Sequence, residues 1–201
     1  MNSFSVSLIA SVFILLFSTF FLYNEKISKS KFYYYINQFI SLGYSIPGAV
    51  VALAVIMFIT SLDKLNDEIS IFGNFYVYLL ILVYAYIIRF MAVGKSPIKS
   101  SLEKHPDSYD SSAKNLGLSN FQIFKKIYFP INKYSFFTAL TLVFIDLMKE
   151  LPITLILRPF NFDTLATQTY EFAVEEMIPL SSIYSSVIIL ICCISVSYTH
   201  L

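Results

Sequence analysis

The sequence predicts an all-α integral membrane protein with about five transmembrane helices. Apolar residues make up 57% of the 201 residues, and the mean hydropathy is +0.69. Charged residues make up only 13%, about half of their share in a soluble globular domain. Apolar runs long enough to cross about 30 Å of hydrocarbon recur along the chain. The formal net charge of +1 does not provide the basic field that nucleic acid binding requires, so no nucleic acid partner is expected.

The apolar runs predict a single membrane domain over residues 1–201. The candidate spans are residues 4–23, 45–61, 70–93, 134–157 and 182–198. The second span is short and needs flanking residues, and the fourth is interrupted by the sequence MKELP. The first run has no basic residue before it, as a secretory signal peptide would have, so it is interpreted as a span and not as a cleaved leader.

The loops between these spans predict the orientation of the chain. Three lysines follow the first span, and residues 94–133 carry seven more, whereas the loop after the second span and the loop 158–181 are acid-rich. Lysine and arginine mark the cytoplasmic side of short loops. The N-terminus is therefore predicted outside, and the loop 94–133 is predicted to be cytoplasmic. Arg89 is interpreted as an anchor at the cytoplasmic end of the third span.

A helical hairpin is predicted inside the cytoplasmic loop. Residues 107–116 favour a short helix, and Gly117 fits the left-handed position that ends such a helix. Ser119 and Gln122 have the spacing of a capping box for a second helix, which Pro130 is expected to end. A hairpin of this kind is either an amphipathic surface element or a docking site for a partner.

The hairpin resembles the EAA loop of ABC importer permeases, whose pattern is E-A-A-x3-G-x9-I-x-L-P. The corresponding positions are Ser111, Ser112, Ala113, Gly117, Ile127, Phe129 and Pro130. Ser111 replaces the glutamate of the motif and Phe129 replaces its leucine, while Gly117, Ile127 and Pro130 match. In that family the loop forms coupling helices that sit in a groove of the cytoplasmic ATPase. The resemblance implies the same role for these residues.

A longer stretch, DLMKELPITLILRPFNFDTLATQTYEFAVEE, resembles the ferric-iron ABC importer permeases. The segments SLGYSIPGAVVALAV and YAYIIRFMAVG are also similar to that family, and the likeness extends from about residue 40 to about residue 180. It corresponds to the second half of those permeases. The resemblance implies a type I importer core that translocates ferric iron, with no catalytic residues and no cofactor on this chain.

The same resemblance implies the partners and the location of the chain. Energy would come from an ABC ATPase dimer that binds ATP and Mg²⁺, and substrate from a periplasmic binding protein. A second permease half would complete the path, either as a missing part of this chain, as a separate chain or as a second copy. The location would be the bacterial inner membrane, within the lipid bilayer.

Ionisable residues near the interruption of the fourth span predict part of the translocation path. Asp146 and Glu150 are spaced i,i+4 and can share one helix face with Lys149. Pro152 predicts a broken helix whose freed carbonyls line an aqueous path. The alternative interpretation is that the span ends here and its charges reach water.

Arg158 and Asp163 are predicted at the outer rim, where they contact each other or a docked binding protein. Glu171, Glu175 and Glu176 make this side acidic, but they are interpreted as a solvated surface, and no metal site is predicted.

Other classes of function remain open at this point. The chain has no G-x-x-x-x-G-K-[ST] loop, so it is not expected to hydrolyse nucleotide itself. A membrane-embedded enzyme using Asp146 and Glu150 would need a paired-acid or metal-ligand spacing that is not found. A permease for another small substrate such as thiamine, or a passive channel, would share much of this pattern.

Overall fold

The computed structural model describes residues 2–65, 75–106 and 108–200, and the regular structure in these ranges is helical. The α-helices are α1 Asn2–Ser28, α2 Lys31–Leu42, α3 Gly48–Leu65, α4 Phe75–Leu102, α5 Ser108–Asn115, α6 Asn120–Ile123, α7 Phe129–Met148, α8 Pro152–Leu157, α9 Leu165–Val174 and α10 Ile178–His200. A 3₁₀ turn spans Gly43–Ser45 and a π-helical turn spans Phe124–Tyr128.

Within the described residues, four helical segments are long and apolar enough to cross a membrane. They are Asn2–Ser28, Phe75–Leu102, Asn120–Met148 and Ile178–Ser197. A fifth span is obtained when Lys31–Ser45 and Gly48–Asp63, which are bent by 115° relative to each other, are taken as one broken span. The predicted fold class, all-α with about five spans, is confirmed.

Helices α1, α4 and α7 form the centre of the bundle. The buried residues of α1 recur every three or four positions and are mostly small: Ser3, Val6, Ser7, Ala10, Ser11, Ile14, Ser18 and Leu22. Small side chains let membrane helices approach closely where the hydrophobic effect gives little drive for association. Gly94 of α4 lies at this contact, because a Cβ atom added to it would be 2.9 Å from Ile14 Cγ2 and 3.2 Å from Val143 Cγ2.

Helix α4 extends beyond residue 93, the predicted end of the third span. Residues 70–74 lie outside the described residues, but α4 runs on to Leu102 instead of ending at 93, and it contains Pro97. The first nine residues of the predicted loop 94–133 are therefore helical. The apolar stripe of α4 continues through Ile98 and Leu102, which are both buried, and this packing outweighs the helix-breaking tendency of Pro97.

Pro130 does not end the second hairpin helix, contrary to the prediction. The helical segment is continuous from Asn120 to Met148. The π-helical turn shifts the hydrogen-bond register, so that the Phe129 N–H donates to the Phe124 carbonyl. Pro130 then occupies the first turn of α7, where its missing N–H and fixed φ are tolerated.

The second and fourth predicted spans are broken helices in the structure and not straight ones. The second predicted span, 45–61, begins at Gly48 after Pro47, and α2 precedes it at a steep angle. The fourth predicted span, 134–157, is divided into α7 and α8 by the segment 149–151. The predicted outer loop 158–181 contains α9 and the first turn of α10.

Candidate functional site

The hairpin has the caps that its sequence predicts. The structure places α5 at Ser108–Asn115; Asp107 lies outside the described residues. Gly117 has φ +77°, its N–H donates to the Lys114 carbonyl at 2.9 Å, and the next N–H, of Leu118, donates to the Ala113 carbonyl at 3.1 Å. This pair of hydrogen bonds is the Schellman arrangement that ends a helix with a left-handed residue.

A reciprocal capping box starts the second helix of the hairpin. The Gln122 N–H donates to Ser119 Oγ at 3.4 Å, and the Ser119 N–H donates to Gln122 Oε1 at 2.9 Å. Both helix ends at the turn are therefore satisfied by local groups. The turn is thus held by local hydrogen bonds, and Ala113 and Leu118 beside it also pack against the core of the bundle.

Aromatic and polar contacts fasten the hairpin to the membrane helices. The Tyr128 hydroxyl donates to Asp110 Oδ1 at 2.8 Å, which ties the second helix to α5. The Tyr23 hydroxyl of α1 donates to the Asn120 carbonyl at 2.6 Å. Lys26 Nζ of α1 donates to the carbonyls that end α4, including that of His105 at 2.9 Å. Movement of the hairpin would therefore also displace α1, α4 and α7.

The residues at the motif positions separate into buried and exposed groups. Ala113 is buried and Ile127 half-buried, and both face the bundle. Ser111, Ser112, Gly117 and Pro130 are exposed, and Phe129 is half exposed. Two neighbours of the motif are large, apolar and strongly exposed: Leu116 at 81% and Phe121 at 72%. The hairpin therefore exposes apolar side chains at and beside its turn, and Phe121 also lines a groove next to α1.

The hydrogen bond between Tyr128 and Asp110 gives a testable prediction. Tyr128→Phe is expected to destabilise the purified chain by about 1 kcal/mol, because it removes a hydrogen bond to a half-buried carboxylate and leaves the ring packing intact. Thermal unfolding in detergent measures this. The control is Tyr134→Phe, on the same segment but 75% exposed, which is expected to have no effect. Equal unfolding temperatures for the two variants would contradict a role of this hydrogen bond.

A second cluster lies at the break after α7. Asp146 is paired with Lys149, with 2.8 Å between the Lys149 Nζ and Asp146 Oδ1 atoms. The prediction that Asp146 and Glu150 share a helix face is wrong, because α7 ends at Met148. Glu150 turns into the bundle, where it is buried, and its Oε1 atom lies 3.8 Å from Arg89 Nη1.

Arg89 is not the cytoplasmic anchor that the sequence predicts. It lies in the middle of α4 and meets Glu150 there. Gly48, the first residue of α3, makes room for this pair, because an added Cβ would overlap the Arg89 guanidinium and lie 2.8 Å from Glu150 Oε1. Three separate elements thus converge on one pair of opposite charges in the interior of the helical bundle.

Pro152 begins α8, and the predicted break in the fourth span is present. The Glu150 carbonyl is not left free at this break, because the Thr154 hydroxyl donates to it at 2.8 Å. The Thr154 hydroxyl also bonds to the Tyr86 hydroxyl at 2.5 Å, which links α8 to α4. These buried hydroxyls hold the break in one geometry.

Arg158 joins α8 to α9 at the other end of the bundle. Its guanidinium pairs with Asp163 and with Glu171, and it donates to Thr167 Oγ1 at 3.3 Å. The predicted contact between Arg158 and Asp163 is confirmed. Phe160, in the same connection, is 96% exposed. In the part of the chain that the structure describes, no three His, Cys, Asp or Glu side chains come together as a metal site would require.

Loss of the Arg158 pairs is expected to have a small effect on stability. Arg158→Gln should lower the free energy of unfolding by about 1 kcal/mol, because its carboxylate partners are partly exposed and such pairs are screened by solvent. Unfolding of the purified chain at low and high salt measures this. The difference from wild type is expected to shrink at high salt, and a difference that salt does not change would contradict the ionic explanation.

Sequence reasoning missed three contacts that the structure shows. The pairing of Arg89 with Glu150 joins residues that are far apart in the chain. The bond from Tyr128 to Asp110 needs the hairpin to be folded. Lys95, predicted to be in a loop, is buried in α4 and donates to the Asn37 carbonyl and to Ser41 Oγ of α2. The one available signal was an arginine inside an otherwise apolar run, since charges at membrane depth are costly and usually paired.

The fold and these sites define a polytopic helical membrane protein with a capped hairpin at one end and a charge pair in its interior. Residues 26–201 match the family described as binding-protein-dependent transport system inner membrane component, and the chain belongs to this family. It is therefore a multi-pass inner membrane component of such a transport system. The prediction of a transporter subunit that is not an enzyme is confirmed by this membership.

One curated relative is similar over much of the chain. The Fe(3+)-transport system permease protein FbpB 2 of Haemophilus influenzae is 27% identical over 147 residues. The match covers 73% of this chain and 27% of the relative, so the chain spans well under half of the relative's length.

Proposed function

We propose that this chain is part of the membrane permease of an ATP-driven importer for ferric iron. In this proposal an external binding protein delivers the iron, and an ABC ATPase dimer on the cytoplasmic side drives the cycle. A second permease half completes the path. The single observation that carries the proposal is the capped hairpin with an exposed apolar tip, in a chain of the binding-protein-dependent transport family.

The hairpin suits an ATPase docking site for two reasons. Both helix ends at its turn are capped by local hydrogen bonds. The turn therefore does not have to become ordered before it passes a movement of the ATPase on to the membrane helices. Its tip exposes Leu116 and Phe121, and exposed apolar side chains on a polar hairpin favour burial against a partner. The positions from Ser111 to Pro130 would make this contact.

The contacts behind the hairpin support coupling to the path. Tyr128, Asn120 and His105 connect the hairpin to α1 and to the end of α4. Closure of an ATPase dimer around the hairpin would therefore move membrane helices as a group. Alternating access of this kind requires that ATP binding favour one of two states, and a docked ATPase supplies that difference.

Ferric iron is proposed as the substrate on two grounds. The relative that matches 73% of the chain is named as an Fe(3+)-transport permease. The chain also carries a buried carboxylate, Glu150, and a further one, Asp163, at the end of the bundle that we place outside, and hard cations prefer oxygen ligands. Asp146, Glu150 and Pro152 would lie along the path, with Arg158 and Asp163 at its outer rim. No cofactor is proposed on this chain.

The distribution of lysines supports the orientation. The hairpin end of the bundle carries the basic loops, and the end that contains Arg158, Phe160 and α9 is the acidic one. We place the hairpin in the cytoplasm and the N-terminus outside. The exposed Phe160 would then be available to a docked binding protein.

Reconstitution tests this function. The tagged chain is expressed with its ATPase subunit and second permease half, purified, and placed in liposomes that contain ATP. We expect the ATPase to co-purify and iron-loaded binding protein to stimulate both ATP hydrolysis and uptake of radioactive iron. Stimulation by another substrate such as thiamine, without iron uptake, would be consistent with an importer but would contradict ferric iron as its substrate. If no ATPase associated with the chain, the proposal that it is part of an ATP-driven importer would be contradicted.

A further inference from the structure

We propose that the groove between α1 and the helical segment Asn120–Met148 is a binding site for an anionic phospholipid of the leaflet next to the hairpin. One acyl chain lies in the groove, and the phosphate group of the lipid meets Lys125 and Lys126. The site is a property of the surface of this chain and does not depend on which substrate is transported.

The groove is apolar and opens sideways. It has a volume of about 330 Å³ and is lined by side chains of α1 and of the segment Asn120–Met148. Leu16 of α1 is 59% exposed and Phe129 is 50% exposed, so the described part of the chain does not cover the groove. Both walls belong to helices that are long and apolar enough to cross a membrane. The groove therefore faces either lipid or another membrane protein.

The π-helical turn builds one wall of this groove. Its wider turn brings Phe124 and Phe129 onto the same face, where their ring centroids are 6.3 Å apart. Phe136 stacks on Phe129 with the centroids 5.5 Å apart, and Tyr23 of α1 meets Phe124 at 4.9 Å. The wall is held by contacts within the chain, so the groove is formed before a ligand binds. π-helical turns of this kind are frequent at functional sites.

The polarity of the groove changes along its length. On α1 it extends from Asn24 to Leu15, a rise of about 13 Å at 1.5 Å per residue. The hairpin end holds Asn24 and the hydroxyl of Tyr23, the far end holds Leu15 and Phe136, and Thr19 lies between them. A phospholipid has the same order of polarity, with a polar head at the membrane surface and an acyl chain that points inward.

The charge beside the groove selects an anionic head group. Residues 111–145 contain four lysines and no aspartate or glutamate. Two of these lysines, Lys125 and Lys126, lie in the π-helical turn that forms the wall, and both are exposed. Glu25 of α1 turns instead to α2, where it accepts a hydrogen bond from Asn37. Lysines clustered at the cytoplasmic end of membrane helices attract anionic lipid head groups.

A helix of a second permease half is the other candidate for the groove, and its walls do not favour one. Membrane helices pack against each other through small residues, as α1 does on its buried face. The groove is instead lined by leucine and aromatic side chains. A flexible acyl chain can fill a space between such bulky side chains, whereas a helix cannot approach them closely.

Native mass spectrometry of the full chain, purified in detergent, tests the site. The chain is titrated with dioleoyl phosphatidylglycerol and, separately, with dioleoyl phosphatidylcholine, which has the same acyl chains and no net charge. We expect one phosphatidylglycerol molecule to bind about tenfold more tightly than phosphatidylcholine, because two lysines meet its charge. Equal affinities for the two lipids would overturn the proposal. Displacement of phosphatidylglycerol by inorganic phosphate would also overturn it, because the site would then bind a free anion.

Two double variants test the position of the head group. Lys125→Gln combined with Lys126→Gln is expected to lower the affinity for phosphatidylglycerol to that for phosphatidylcholine. Lys104→Gln combined with Lys114→Gln removes the same charge from exposed lysines that do not line the groove, and it is expected to match wild type. Equal losses in the two double variants would show that binding follows the net charge of the chain, and the site would be wrong.

Thr19→Phe tests the groove itself. The added ring occupies the space between the walls and leaves both lysines in place, so the preference for phosphatidylglycerol is expected to fall from about tenfold to none. Thr60→Phe makes the same change at a half-buried position of α3 and is expected to keep the preference. A wild-type preference in the folded Thr19→Phe variant would place the lipid elsewhere.

The complete transporter distinguishes the two occupants. Retention of phosphatidylglycerol after assembly with the second permease half is expected, since the groove then still faces the bilayer. Loss of this lipid on assembly would show that the second half fills the groove, and the lipid site would be overturned. Iron uptake is a separate measurement, so its absence would remove the proposed substrate and leave the lipid site in place.

Discussion

Gly117→Val is expected to reduce transport by about tenfold or more while the membrane helices remain folded. Gly117 has φ +77°, a conformation that costs a residue with a side chain about 1–2 kcal/mol and a β-branched residue more. Apart from the neighbouring residues, no atom of the described part of the chain lies within 4 Å of the position that a Cβ would occupy, so contact with another element does not contribute. The whole effect is expected to come from the backbone of the turn.

The reason for a functional loss is geometric. The Schellman hydrogen bonds at Lys114 and Ala113 depend on the left-handed residue, and without them the two hairpin helices change their relative angle. A rise of about 1.4 kcal/mol in the free energy of the docking geometry lowers its population about tenfold. Transport and ATPase stimulation should fall together, whereas unfolding of the bundle should be nearly unchanged.

Gly117→Asn is the matched control, because asparagine tolerates the left-handed region better than any β-branched residue. It is expected to retain most of the transport activity. Equal transport by the asparagine and valine variants would show that the left-handed turn has no part in coupling. A loss of folded protein in the valine variant alone would show that the turn serves stability.

Gly94→Leu is expected to give the largest loss of stability. A Cβ at this position already lies 2.9 Å from Ile14 Cγ2, 3.2 Å from Val143 Cγ2 and 3.4 Å from Ser18 Oγ. A leucine would have to separate α1, α4 and α7, and the seam of small residues on α1 leaves no other space. Overpacking of a tight core typically costs about 1–3 kcal/mol, and three displaced helices place this variant at the upper end.

The amount of folded protein recovered from membranes and its unfolding temperature measure this effect. Ala92→Leu is a suitable control, because it adds the same kind of side chain to the same helix at a half-buried position. The control is expected to be recovered at close to the wild-type level. Wild-type recovery of Gly94→Leu would contradict the close approach of the three central helices.

Structure that depends on signals within a few residues could be predicted from the sequence, whereas structure that depends on distant contacts could not. The hairpin could be predicted because its signals act within a few residues: a glycine that needs positive φ, and Ser119 and Gln122 that cap each other. The effect of Pro130 could not, because a π-helical turn moved the hydrogen bonds away from it. Such a turn has no simple sequence pattern.

The contacts of the interior charges could not be predicted from the sequence. The sequence predicts that Arg89 is an interfacial anchor because the apolar run ends near it, but the buried side chains of Ile98 and Leu102 extend α4 beyond that point. Its contact with Glu150 depends on how α3, α4 and the break after α7 pack, and periodicity along one helix does not contain that information. The contact between Arg158 and Asp163 could be predicted because the two residues are near in sequence.

Site-specific photocrosslinking tests most directly whether the hairpin docks with an ATPase. A photoreactive phenylalanine analogue is placed at Leu116, which is 81% exposed at the hairpin turn, and separately at Tyr76, which is 72% exposed near the start of α4. With the ATPase subunit co-expressed, we expect a crosslink to the ATPase from position 116 and none from position 76. A complex that crosslinks from neither position, with and without ATP, would contradict the assignment of the hairpin as the coupling element.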